Sequence, residues 1–295
     1  MFKTSITSAD PQGQQAVKVF EAVYNSLKLD ETRAQNINES YELKTALQKA
    51  LTDATGVYWS EHGYPKQYRG PRPLDEQIDA LLKHFPALRV DETLLFMRNS
   101  LPKISPPFGA EGWFAIPRWE KVASEYGVAF NKLFSELVIK HKWKSHIDDR
   151  VGTKGRPVTP GKPNENMLGR FKRTIKGQTG DVVIVPAQFG WRHRGRSLVQ
   201  AHRAMRRNEF GLGAFAVGCM LLTHHNRLIP DKSLQHLNTL ICPGDFYRSG
   251  HDDGRVEDSP QFSRWHDGGI SFWRHSTGVS GPDNTFVTAF VPAFD

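Results

Sequence analysis

Two groups of residues in this chain have the types and spacing to do chemistry. The larger is basic and aromatic: Arg170-Phe171-Lys172-Arg173, Lys176, Trp191-Arg192-His193-Arg194-Gly195-Arg196 and Arg203 follow one another in a single stretch. Cations set this way neutralise phosphates with release of counterions, and the faces of Phe171 and Trp191 suit the stacking of unpaired bases. The stretch predicts binding of nucleic acid or another polyanion, with Arg170, Lys172, Arg173, Lys176, Arg192, Arg194, Arg196 and Arg203 as the cations. Nothing in it specifies a base sequence, since the chain has no paired Cys/His finger, no basic region leading into leucine heptads and no aromatic RNA-binding strand signature. A basic stretch equally serves as a solubilising face, or as the surface by which a component of a bacterial or phage assembly meets an acidic protein partner.

The second group is the C-terminal set His251, Asp252, Asp253, Glu257, Asp258, His266, Asp267 and His275. His251, Asp253 and His266 supply the two imidazoles and one carboxylate that hold a divalent metal with open positions. The alternative function is therefore a metal-dependent enzyme, hydrolytic or oxidative, in which the ion polarises substrate or activates water. The spacing is not diagnostic, and turn-rich polar surface has the same composition. His224-His225 reads as favourable charge at a helix end.

Other chemistries fail on detail. Gly155 to Pro163 has the glycines and lysine of a phosphate-cradling loop, but five residues separate Gly155 from Gly161 where four are needed, and Pro163 replaces the hydroxyl that ligates magnesium. The glycines between Gly211 and Gly218 lack dinucleotide spacing and fit close packing of a buried helix. Glu209 enters that apolar stretch as a carboxylate in need of a partner, for which Arg206 or Arg207 would suffice. There is no Gly-x-Ser-x-Gly elbow, and a thiolate at Cys219 is disfavoured by desolvation. Gly112 to Trp119 reads as a core anchor in preference to an aromatic recognition surface. No motif carries a known family's activity or cofactor to this chain.

The charge distribution singles out the same central segment. The net charge is +8, yet Lys140 to Arg207 alone holds 17 Lys and Arg against 4 Asp and Glu, while the rest holds 22 against 27. Such asymmetry is expected of a polyanion-binding surface. The longest apolar run, Phe210 to Thr223, has 14 residues, short of the ~20 that span a bilayer. The first ten residues lack the apolar core of a signal peptide, and two cysteines cannot build a disulfide framework. These features predict a cytoplasmic protein with reduced thiols and no membrane partner.

The elements that must position these groups follow from periodicity and punctuation. Apolar spacing predicts helices over Gly13 to Leu29, Ser40 to Ala54 and Leu74 to Phe85, and Asp91 caps a short one through Arg98. A longer amphipathic helix is expected from Pro117 to about His141. Val182 to Val185 reads as a strand that Pro186 ends or confines to a sheet edge. Ser197 caps a helix, and Phe210 onward forms a buried one. Strands are predicted near Thr239 to Cys242, Gln261 to His266, Ile270 to His275 and Thr285 to Val291, with a hairpin turn at Asp267-Gly268-Gly269. The fold class is α+β, with a helical N-terminal half and a small, mainly antiparallel sheet packed on a buried helix in the C-terminal half. The expected division is 1–147 mainly helical, 148–166 a basic Gly/Pro-rich linker or loop, and 167–295 α+β.

Overall fold

The computed structural model describes residues 63–141, 145–147, 162–228, 239–247, 258–264, 269–276, 278–281 and 283–292, together with isolated positions among the first 40. The chain divides into the units Met1–Leu51 and Thr52–Asp295, and the elements below belong to the second. The helices expected over Gly13 to Leu29 and Ser40 to Ala54 lie outside the described residues.

Leu74, Ile78 and Leu81 recur on one face of α1, Leu74–His84, and that face is buried. Asp91 accepts a hydrogen bond from the Leu94 amide and caps α2, Glu92–Ser100, as its side chain predicts. Strand β1, Gly112–Pro117, follows, with Trp113 to Pro117 buried. The helix expected from Pro117 is divided: Pro117 pairs opposite Val182, α3 covers only Trp119–Val122, and Ala123 is extended before α4 runs Tyr126–His141. Arg118 anchors this break, its guanidinium donating to the carbonyls of Gln178 and Gly180.

Next come β2, Ser145–Ile147, β3, Lys162–Pro163, and α5, Glu165–Thr174, which Asn164 caps by accepting from the Asn166 and Met167 amides. Strand β4 spans Val182–Gln188 and is buried throughout. It continues past Pro186, contrary to the expected end there. The reason is positional: β4 pairs along its length with β1, but its pairing with the last strand begins only at Ala187. Pro186 thus meets a strand on one side only, which is where the missing N–H is tolerated.

Ser197 and Gln200 form a reciprocal capping box at the start of α6, Leu198–Ala204. After β5, Glu209–Gly211, every residue of α7, Ala214–Thr223, is buried. Then follow β6, Thr239–Ile241, β7, Asp245–Phe246, β8, Ser259–Arg264, β9, Ile270–His275, and β10, Thr288–Phe290. The β8–β9 hairpin pairs as its sequence predicts.

The strands form one antiparallel sheet in the order β1-β4-β10-β5, a second in the order β2-β9-β8-β6, whose β2–β9 pair alone is parallel, and a separate antiparallel pair of β3 with β7. The α+β class and the buried helix stand as expected, with strands from both sides of the 148–166 segment sharing sheets. Helix α7 contacts β1 on one side and α4 on the other. Gly218 permits the second contact, since a Cβ there would fall 2.6 Å from a Leu133 methyl. Beyond α4, Phe130 and Phe134 meet Phe262 and Phe272 of the second sheet, the Phe130 and Phe272 ring centroids being 4.7 Å apart. The two sheets join where Ile241 exchanges backbone hydrogen bonds with Thr285 and Val287.

Candidate functional site

The basic stretch folds around one buried carboxylate. Glu209 on β5 has no exposed surface, so its charge requires donors. His193 Nε2 lies 2.7 Å from Oε1 and Thr288 Oγ1 donates to the same oxygen at 2.8 Å. Arg192 Nε donates to Oε2 at 3.0 Å, and the Arg206 backbone amide adds a fourth donor. The partner expected from Arg206 or Arg207 is therefore supplied by Arg192 and His193, because the loop after β4 lies across β5. Burial raises the Glu209 pKa, but His193, Arg192 and Thr288 outweigh it and hold the carboxyl below its usual range.

This loop is fixed at both ends. The Gln188 side chain accepts from the Gly190 and Arg192 amides and donates to the Phe286 carbonyl and Thr288 hydroxyl. At the far end Gly195 N–H donates to the Asn284 carbonyl, and Asn284 Nδ2 donates back to the Arg196 carbonyl. Arg196 reaches the Arg192 carbonyl, and Arg170 from α5 donates to the Glu209 carbonyl. Arg170, Arg192 and Arg196 are thus brought together, with donors engaged inside the protein.

Two exposed rings stand beside this hub, each covered by a guanidinium. Trp191 is 41% exposed with Arg194 4.1 Å above its ring, and Phe108 is 59% exposed with Arg206 at 4.5 Å. Arg192 adjoins both pairs: it follows Trp191 in sequence, and a Cβ built on Gly109, next to Phe108, would stand 3.2 Å from its Nη1. Phe108 escaped the sequence reading, its only signal being an aromatic placed directly after Pro106-Pro107. Arg203 is exposed on α6, and Lys172, Arg173 and Lys176 are exposed on and just beyond α5. Phe171 points inward, edge-on to Phe210 at 6.4 Å, so it does not offer a stacking face at the surface.

Trp191 is itself held from below. Its amide donates to Tyr64 Oη at 3.0 Å, and Tyr64 and Tyr68 both donate to Glu111. Arg227, wholly buried, sits 4.5 Å over the Tyr64 ring and donates from Nε and Nη2 to the Phe189 carbonyl. Burial raises the Glu111 pKa against the pull of these tyrosines and of Arg227. Close by, the Arg72 amide donates to His224 Nε2, and burial lowers the His224 pKa to about 3. His224 is therefore a neutral core group and not the favourable helix-end charge expected of it.

The proposed metal ligands His251, Asp253 and His266 lie outside the described residues. Among the described residues no group of three or more His, Cys, Asp and Glu is placed to hold a metal. His275 is buried, with Nε2 against the Val279 carbonyl. Cys219 and Cys242 are buried thiols whose pKa burial raises. No described helix is long and apolar enough to cross a membrane. Comparison of the chain with protein-family models, curated proteins and solved structures found no match.

Proposed function

We propose that this protein binds nucleic acid, without sequence specificity, through the surface around the loop from Phe189 to Arg196. The observation that carries the reading is the pair of exposed rings, Trp191 and Phe108, each with an arginine stacked on it beside the Arg192 hub. A strand's bases would stack on these rings while Arg194 and Arg206 meet its phosphates. Arg203, Lys172, Arg173 and Lys176 add exposed charge that forms no ion pair among the described residues. Arg192, Arg196 and Arg170 shape the surface through their internal hydrogen bonds. The reading is of backbone charge and base faces, which every sequence shares.

Fluorescence-anisotropy titration of labelled single- and double-stranded DNA and RNA at two salt concentrations tests this. Binding should weaken steeply with salt. Trp191→Ala should cost about 1–3 kcal/mol on single strands, and Arg194→Ala with Arg206→Ala should reduce the salt slope. Absence of binding at low salt, or affinity indifferent to salt and to these variants, would overturn the proposal.

A further inference from the structure

A cavity of ≈ 120 Å³ opens beside the N-terminal end of α7. Ile116, Trp119, Met167, Phe171, Leu212 and Phe215 contribute apolar lining, Lys172 is exposed at its edge, and Asp245 and Tyr126 also line it. Asp245 is only 2% exposed. Both donors that reach it, the Tyr126 hydroxyl at 2.5 Å and the Ala214 amide at 2.6 Å, fall on Oδ2. Oδ1 has no hydrogen bond among the described residues and lies against Gly213, where a Cβ would stand 2.5 Å from it. A carboxyl oxygen with spare acceptor capacity, deep in an apolar cavity, calls for a ligand that brings its own N–H.

Size and setting narrow the ligand. The space is close to the about 150 Å³ that accommodates one benzene ring, so it suits a single six-membered ring better than a fused pair. Its aromatic lining suits a flat body. Phe171 and Lys172 connect it to the basic stretch, placing a cation where a phosphate attached to the ring would emerge. We propose that this cavity takes one pyrimidine base, its N–H edge on Asp245 Oδ1 and its phosphate toward Lys172. The inference rests on the nucleic-acid reading for its choice of ring, and the base comes either from a free nucleotide or from a bound strand.

Calorimetric titration with cytidine, uridine, adenosine and guanosine 5′-monophosphates tests this on the full chain, with a labelled abasic oligodeoxynucleotide as the base-free polyanion. Pyrimidine nucleotides should bind and purine nucleotides should bind at least about tenfold more weakly. In Asp245→Asn the two protein donors hold the amide oxygen, turning its NH₂ toward the ligand's own N–H. That clash should weaken pyrimidine binding at least about tenfold. Leu168→Trp narrows the cavity from a half-buried position on α5, leaves Asp245 in place, and should have the same effect, so the test survives a folding defect in Asp245→Asn. Both variants should bind the abasic strand as the wild type does. If the margin by which an oligodeoxycytidine outbinds the abasic strand falls in Asp245→Asn and Leu168→Trp, the base comes from a strand, because neither variant touches the stacking rings Trp191 and Phe108; a margin unchanged in both assigns the cavity to free nucleotides. No nucleotide binding, or equal binding by wild type and both variants, overturns the proposal whether or not the strands bind. Nucleotide binding without abasic-strand binding supports the cavity and overturns the surface reading instead.

Discussion

Glu209 and Asp245 are both almost wholly buried carboxyls, yet their surroundings drive them in opposite directions. Glu209 receives four donors spread over both oxygens, one of them from the charged Arg192. It is held below its usual pKa. Asp245 receives two neutral donors on one oxygen, and burial pushes it up to about 7 against them. Burial alone penalises the charged form of either group, and the number and charge of the donors decide which way each one goes. Glu209 is thereby a clamp for the basic loop, whereas Asp245 keeps acceptor capacity for something else.

The comparison breaks most sharply at Glu209. Glu209→Ala leaves Arg192 and His193 facing a hollow, and chemical denaturation should show a loss of about 3–5 kcal/mol. A loss under about 1 kcal/mol would mean that the arginine is solvated without its partner.

The pH dependence separates the two carboxyls by sign. Asp245 has its folded pKa raised from 3.8 to about 7. The folded state therefore holds that proton more tightly, and the group's contribution is complete below its unfolded pKa and lost as pH rises toward 7. Relative to wild type, Asp245→Asn should gain stability between pH 4 and pH 8 by no more than about 4 kcal/mol. Glu209, with its folded pKa lowered, contributes above its unfolded value and loses that contribution as acid carries the pH down through the folded value. His224, lowered to about 3, acts in the same direction: its contribution is complete above its unfolded pKa and falls away on acidification. Denaturation curves at stepped pH on wild type and Asp245→Asn resolve these windows, and a relative loss for Asp245→Asn at high pH would contradict the assignment.

Deletions of one hydroxyl give the smallest effects. Thr288→Val removes a hydrogen bond to a charged acceptor together with the one accepted from Gln188 and should cost about 2–3 kcal/mol in the same assay, while Tyr126→Phe takes a donor from Asp245 and an acceptor from the Phe215 amide and should cost about 1–2 kcal/mol. Equal losses would show that Asp245 is ionised in the folded protein at the pH of the assay.

What could be read from the sequence was local. Asp91 and Ser197 signalled helix starts because a cap bonds within three residues, and the apolar run after Phe210 announced its burial by composition. The four C-terminal strands showed as short apolar runs set off by Gly, Asp and Pro. The break after Pro117 and the passage of β4 through Pro186 depended on which strand lay alongside, information held in residues far along the chain. The same limit applies at the site. Glu209 needed a partner, but only the crossing of the loop over β5 chose Arg192 over Arg206. Phe171 and Phe108 carry identical rings, and the opposite directions in which they point come from tertiary packing. Tyr64 and Glu111 are 47 positions apart, so their pairing left no short-range pattern.

The segment from Asn284 to Phe290 ties the basic loop down: it bonds to Gly195, Arg196 and Gln188, reaches Glu209 through Thr288, and supplies the strand between β4 and β5. On the ribosome this order matters, because protein emerges N-terminal end first. The arginines of the loop are synthesised some 90 residues before Asn284, and until that segment emerges the nascent chain carries its cations without the scaffold that orients them. Assembly of the surface is therefore a late event in biosynthesis, completed only once residues 284–290 have left the ribosome.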